Sequence, residues 1–150
     1  MKSPFVLTSQ QMIAAVRDLD GDKLNTRTLA SWARTGIIVP SIVWRHKRGR
    51  YHPRVYSLND LAKIRLVVRM RKAGISMPKV RTILAYLSQE LQEALKPKTN
   101  ATLIVNGWQG TIVRRPGSFD LEIPSGQLRL PLAEVVNGNR QAAEEVSRAA

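Results

Sequence analysis

The chain has 150 residues, of which 43% are hydrophobic and 23% charged, with no cysteine and a net charge of +13. That length can bury a core for one domain with an appendage, and the missing cysteines exclude disulfides, thiolate metal sites and thiol redox switches. No apolar run approaches the roughly 20 residues that span a bilayer, and the opening MKSPFVLTSQQ has no apolar leader core, so a cytoplasmic, bacterial-type protein with no membrane partner is expected.

The charge is unevenly placed. Residues 1–98 hold 19 Lys and Arg against 6 Asp and Glu, whereas residues 99–150 hold five of each. A strongly basic segment beside a neutral one is the electrostatic footprint of a nucleic-acid-binding module that carries a second function.

In chain order, 8-TSQQMIAAVRDL-19 opens with Thr8 and Gln11 at capping-box spacing, followed by Met12, Ile13, Val16 and Leu19 at helical spacing. The stretch 20-DGDKLN-25 is turn chemistry. Asp18, Asp20 and Asp22 alternate as in a calcium loop, but Gly21 falls at the wrong place and no closing Glu follows. Asn25 caps a second short helix, 26-TRTLASWART-35, and Gly36 stops it. Leu29, Trp32 and Ala33 form its inward face. Thr26, Arg27, Thr28, Ala30, Ser31 and Arg34 form a face of short polar and basic side chains.

Next comes 41-SIVWRHKRGRYHPRVYS-57, with β-favouring residues on either side of 47-KRGR-50, where Gly49 suits a hairpin tip. Pro53 cannot donate a ladder hydrogen bond, so the segment is expected to be an edge-like two-stranded ribbon. Its apolar residues Ile42, Trp44 and Val55 must lean on the helices. Ser57 with Asp60 caps a third helix, buried along Leu58, Leu61, Ile64 and Val68, with Lys63, Arg65, Arg69, Arg71 and Lys72 supplying charge. Gly74 ends it. Ser76 and Pro78 start a fourth helix whose stripe is Val80, Ile83, Leu84, Leu87 and Leu91, and 96-KPKTN-100 closes that region.

Short strands are then expected at Thr102–Asn106, Thr111–Arg115, Phe119–Ile123 and Gln127–Leu130, with turns at Gly107, Pro116-Gly117 and Ser125-Gly126. Trp108 and Phe119 are expected to fill the miniature core of this segment. The division is thus 5–97 for a DNA-binding domain, 98–138 for a β-rich dimerisation or partner-binding segment, and 139–150 for a flexible or helical tail.

Helix, turn, helix, basic hairpin, helix, helix is the order of a winged helix-turn-helix. A helix about 10 Å across with short side chains can enter a major groove. A basic hairpin beside it can neutralise phosphates. On this reading Thr26, Arg27, Thr28, Ser31 and Arg34 face base edges, and Arg45, Lys47, Arg48, Arg50 and His52 hold the backbone of double-stranded DNA.

The run 26-TRTLASWARTGIIVPS-41 resembles the second helix and exit of MerR-family regulators, whose pattern is roughly TLRYYEREGLIxPx. The run 54-RVYSLNDLAKIRLVVRMRKAGISMPKVRTIL-84 resembles that family's R-x-Y-S-x-x-D-L block without a gap from Arg54 to Leu84. The resemblance covers residues 5–95. It implies a mainly α fold with a small β component, a winged helix-turn-helix DNA-binding domain, here followed by a short β-rich C-terminal appendage. It also implies a transcription regulator that works as a homodimer on a near-palindromic operator, with Arg54 and Tyr56 holding the DNA backbone. This chain departs from the pattern where Ala30 and Ser31 replace the family's Arg-Tyr pair, and where Trp32 stands for the second aromatic. Family members pair through a long C-terminal helix, whereas here the last strong helical pattern ends near Pro97 and strands follow.

Three other readings carry less. An enzyme lacks its inventory, since His46 and His52 stand in the basic hairpin with no carboxylate beside them and no Gly-rich phosphate loop exists. No cofactor or metal is expected, because a zinc site would need two ligands more than these histidines offer. An RNA reader would show aromatics on an open sheet, and aromatic content is 5%. The alternative that keeps DNA binding is an antitoxin whose segment 101–138 grips a partner toxin.

Overall fold

The computed structural model describes residues 6–40, 55–114 and 127–148. The chain divides into two compact units, one formed by residues 1–65 with 138–150 and the other by residues 66–137.

In the first unit, β1 (Leu7–Thr8) leads directly into α1 (Ser9–Asp20). The Thr8 hydroxyl accepts from the Gln11 amide at 3.2 Å while the Gln11 side chain accepts from the Thr8 amide at 2.9 Å. The expected capping box is therefore present, satisfying two amides that a helix start leaves without partners. Gly21 ends α1 with φ +73°, a left-handed position that a Cβ would disfavour. Asn25 then caps α2 (Thr26–Arg34), its side-chain oxygen accepting from the Thr28 amide at 2.7 Å.

Beyond α2 the chain folds back at once. The Trp32 carbonyl accepts from the amides of both Ile37 (2.9 Å) and Ile38 (3.2 Å), which turns those two side chains into the core. Of the ribbon expected over 41–57, only its end lies within the described residues. That end, β2 (Val55–Tyr56), pairs antiparallel with β1, Leu7 opposite Tyr56 and Thr8 opposite Val55. Val55 is buried as expected, whereas Ile42 and Trp44 lie outside the described residues. The N-terminal strand β1 has no sequence signal, because two residues are too short for an alternation to register.

α3 (Leu58–Lys72) begins at a second reciprocal cap. The Asp60 carboxylate accepts from the Ser57 amide at 2.9 Å, and the Ser57 hydroxyl accepts from the Asp60 amide at 3.1 Å. The boundary between the two units falls inside this helix, after Arg65. The first unit is completed from the far end of the sequence by α7 (Asn139–Arg148), which packs on α1. Asn139, Ala142, Ala143 and Val146 recur at helical spacing and are all buried. The polar, Ala-rich tail is thus a packed helix. Its alanines are the face that lets two helix backbones approach.

The second unit holds the end of α3, then α4 (Met77–Tyr86) and α5 (Ser88–Ala94), a three-stranded antiparallel sheet, and the short α6 (Ala133–Val136). The expected stripe Val80, Ile83, Leu84, Leu87 and Leu91 is buried throughout, but it belongs to two helices that meet at Leu87 rather than to one. The sheet order is β4-β3-β5, with β3 (Ala101–Asn106), β4 (Gln109–Arg114) and β5 (Leu128–Pro131). Ala101, Leu103 and Val105 point alternately into the core. The strand expected at Phe119–Ile123 lies outside the described residues. Arg69 on α3 pairs with the Glu134 carboxylate of α6.

Trp108 does not fill the small core. It stands in the two-residue turn between β3 and β4, 54% exposed, with the Lys79 ammonium 5.7 Å from its ring centre. A residue at a hairpin tip projects past the sheet, and the cation over the ring is the partner available to it there.

Candidate nucleic-acid interface

α2 presents the face that its sequence implies. Leu29 and Trp32 are buried and anchor the helix, while Thr26, Arg27 and Arg34 are exposed and Thr28, Ala30 and Ser31 are half-buried. Four of those six side chains are no larger than threonine, and the two arginines stand at opposite ends. The arrangement leaves a low surface between two long cations, which is the shape and charge that a groove-entering helix needs. Ala33, expected on the inner face, is half-buried.

Two features fix how α2 leaves the molecule. The Asn25 cap ends the turn after α1, and the doubled acceptance at the Trp32 carbonyl sets the exit. Both act on the backbone, so the outward side chains remain available.

Arg45, Lys47, Arg48, Arg50, His52 and Arg54 lie outside the described residues. Tyr56, which the resemblance places with Arg54 on the DNA backbone, is fully buried in β2 opposite Leu7. Its side chain belongs to the core of the first unit and presents no surface to solvent.

One charged residue departs from the expectation for its helix. Arg65, expected among the surface cations of α3, is 3% exposed. Its guanidinium grips Asp20, the last residue of α1, in a bidentate pair, Nε to Oδ2 at 2.8 Å and Nη2 to Oδ1 at 2.9 Å. Its Nη1 donates to the Asn139 side-chain oxygen at 2.7 Å. Asp20 sits within the Asp18-Asp20-Asp22 alternation that reads as turn chemistry. No local pattern pairs residues 45 and 74 positions apart. The sequence hint is an arginine on the otherwise apolar run Ile64–Val68.

Among the described residues no group of three or more His, Cys, Asp or Glu could hold a metal ion. No described helix is long and apolar enough to cross a membrane.

Known proteins share the elements that build this face. Residues 23–87 match the family model described as MerR HTH family regulatory protein. Residues 23–87 are thus similar to a MerR-type helix-turn-helix domain. The match takes in α2, β2, α3 and α4, the elements on which the sequence resemblance rests. An uncharacterized HTH-type transcriptional regulator of Mycobacterium bovis is 35% identical over 81 residues, which is 54% of this chain and 34% of that protein. Uncharacterized HTH-type transcriptional regulators from two strains of Mycobacterium tuberculosis align over the same length with the same identity. The chain thus spans about a third of the length of the curated relatives it matches. The family match leaves β3–β5 and α7 outside it. A helix-turn-helix fold that is mostly helical with small antiparallel sheets agrees with the sequence reading.

Proposed function

We propose that this protein is a transcription regulator that binds a specific sequence of double-stranded DNA, with α2 in the major groove and the basic segment 45–54 on the phosphate backbone. The observation that carries the reading is the outward face of α2, where Thr26, Arg27, Thr28, Ser31 and Arg34 surround a low surface on a helix anchored by Leu29 and Trp32. The match of residues 23–87 to a family of HTH regulators supports it. So does the confinement of the charge excess to residues 1–98. Arg27 and Arg34 are suited to guanine edges or phosphates, and the threonines and Ser31 permit close approach. Arg45, Lys47, Arg48, Arg50, His52 and Arg54 supply backbone affinity, while buried Tyr56 holds the wing base against β1.

The protein acts as a homodimer on a near-palindromic operator in the cytoplasm. Selection of bound duplexes from a random library tests the whole reading. Two related half-sites spaced by about one helical turn or a multiple of it are expected. Arg27→Ala and Ser31→Ala should each shift the selected sequence. If both variants select the wild-type sequence, α2 is not the reading element.

A further inference from the structure

In the hydrogen-bonded trio Asp20, Arg65 and Asn139, each member occupies a junction. Asp20 is the last residue of α1, directly before the turn 21–25 that leads to the Asn25 cap of α2. Arg65 is the last residue of the first unit on α3, and Asn139 is the first residue of α7, where the chain has just returned to that unit. The side chains of Arg65 and Asp20 are 4% and 9% exposed.

We propose that Asn139, through Arg65 and Asp20, positions the helix-turn-helix for DNA, so that the C-terminal helix α7 sets how selectively α2 reads its site. This rests on the DNA-binding reading above. The chain of contacts is short. The Asn139 oxygen holds Nη1 of Arg65 at 2.7 Å, which orients the planar guanidinium. The remaining edge of that plane meets both oxygens of Asp20 at 2.8 and 2.9 Å. A bidentate fork fixes direction as well as distance. The carboxylate it fixes belongs to the residue where α1 gives way to the turn, so the fork sets where the turn, and hence α2, departs.

α7 also packs on α1 directly. Ala142, Ala143 and Val146 are buried along the same side of the helix, and Gly138 enters it with φ +84° where a Cβ would stand 2.9 Å from Leu19 Cδ2. Leu19 is the residue before Asp20. The start of α7 therefore bears on the end of α1 twice, once through Arg65 and once through Leu19.

Base contacts depend on the placement of α2 to a fraction of an ångström, whereas phosphate attraction tolerates small displacements. Loosening the trio should thus reduce preference for the selected duplex more than it reduces attraction to DNA in general. Asn139→Ala removes the acceptor and leaves the Arg65–Asp20 pair in place. Asn139→Asp keeps an acceptor oxygen at the same reach.

The test measures, for the full chain and both variants, affinity for the selected duplex and for an unrelated duplex at several salt concentrations, with urea unfolding alongside. Asn139→Ala is expected to lower the ratio of the two affinities at least about tenfold, with the salt slope on unrelated duplex unchanged. Asn139→Asp is expected to restore the ratio. If Asn139→Ala unfolds more readily but keeps the wild-type ratio, or if Asn139→Asp is as impaired as Asn139→Ala, the positioning role is refuted and the DNA-binding reading stands. If the wild-type chain prefers no duplex over another, the DNA-binding reading falls and the positioning role falls with it.

Discussion

A Cβ on Gly110 would stand 2.6 Å from Cγ2 of Ile83 and 3.0 Å from Cδ1 of Leu87, with Leu103 Cδ1 at 3.4 Å. Gly110 needs no unusual backbone angle, so the constraint is close approach, with β4 seated on the α4 stripe. The nearest atom belongs to a β-branched side chain within a helix, where χ1 has one strongly preferred rotamer and gives little. Gly110→Ala is therefore expected to destabilise the protein by about 1–3 kcal/mol through overpacking, read as a lower urea midpoint with an unchanged m-value. Removing the obstructing methyl should offset part of that cost. The double variant Gly110→Ala with Ile83→Ala should then lose less stability than the two single losses added together, a coupling that a double-mutant cycle measures. Full additivity would show that β4 and α4 are not in contact here.

Among the elements, those with a local chemical signature are legible in the sequence itself. Thr8 with Gln11 and Ser57 with Asp60 announce helix starts because the cap closes over four residues, and both reciprocal pairs are formed. Leu29 and Trp32 mark the inner face of α2 because period 3.6 survives even in nine residues. What stays hidden depends on partners distant in sequence. Arg65 reads as one more surface cation until Asp20 and Asn139 arrive from α1 and α7, and the alanines of α7 read as a weak tail until α1 packs on them. The break at Leu87 carries no Pro or Gly, so one apolar stripe conceals two helices. A test at this scale falls on the turn before α2. The Asn25 oxygen satisfies the Thr28 amide at 2.7 Å. Asn25→Ala should cost about 1 kcal/mol in urea unfolding, and Asn25→Asp, which keeps the acceptor, should cost far less. Equal losses would mean the side-chain oxygen does not support α2.

The whole molecule is polarised along its sequence. Its excess of +13 resides in residues 1–98, while residues 99–150 are neutral, although the last of these fold back as α7 onto α1. α7 carries Arg140 and Arg148 against Glu144 and Glu145, so its return leaves the charge of the first unit almost unaltered. A neutral C-terminal helix can thus complete a basic unit without screening it. The consequence is measurable in salt. Each phosphate neutralised releases counterions, so log affinity falls against log salt with a slope of about 0.9 per contact. If the segment 45–54 makes about four such contacts, the slope should lie near −4 per monomer. Arg48→Ala with Arg50→Ala should weaken binding to every duplex alike and flatten that slope by up to about two. Loss confined to one sequence would instead make the segment a reader of bases, and α2 would no longer be the sole source of specificity. Removal of Arg140 and Arg148, which Glu144 and Glu145 balance, should leave the slope unchanged. A slope that moved with them would place α7 on the DNA rather than behind it.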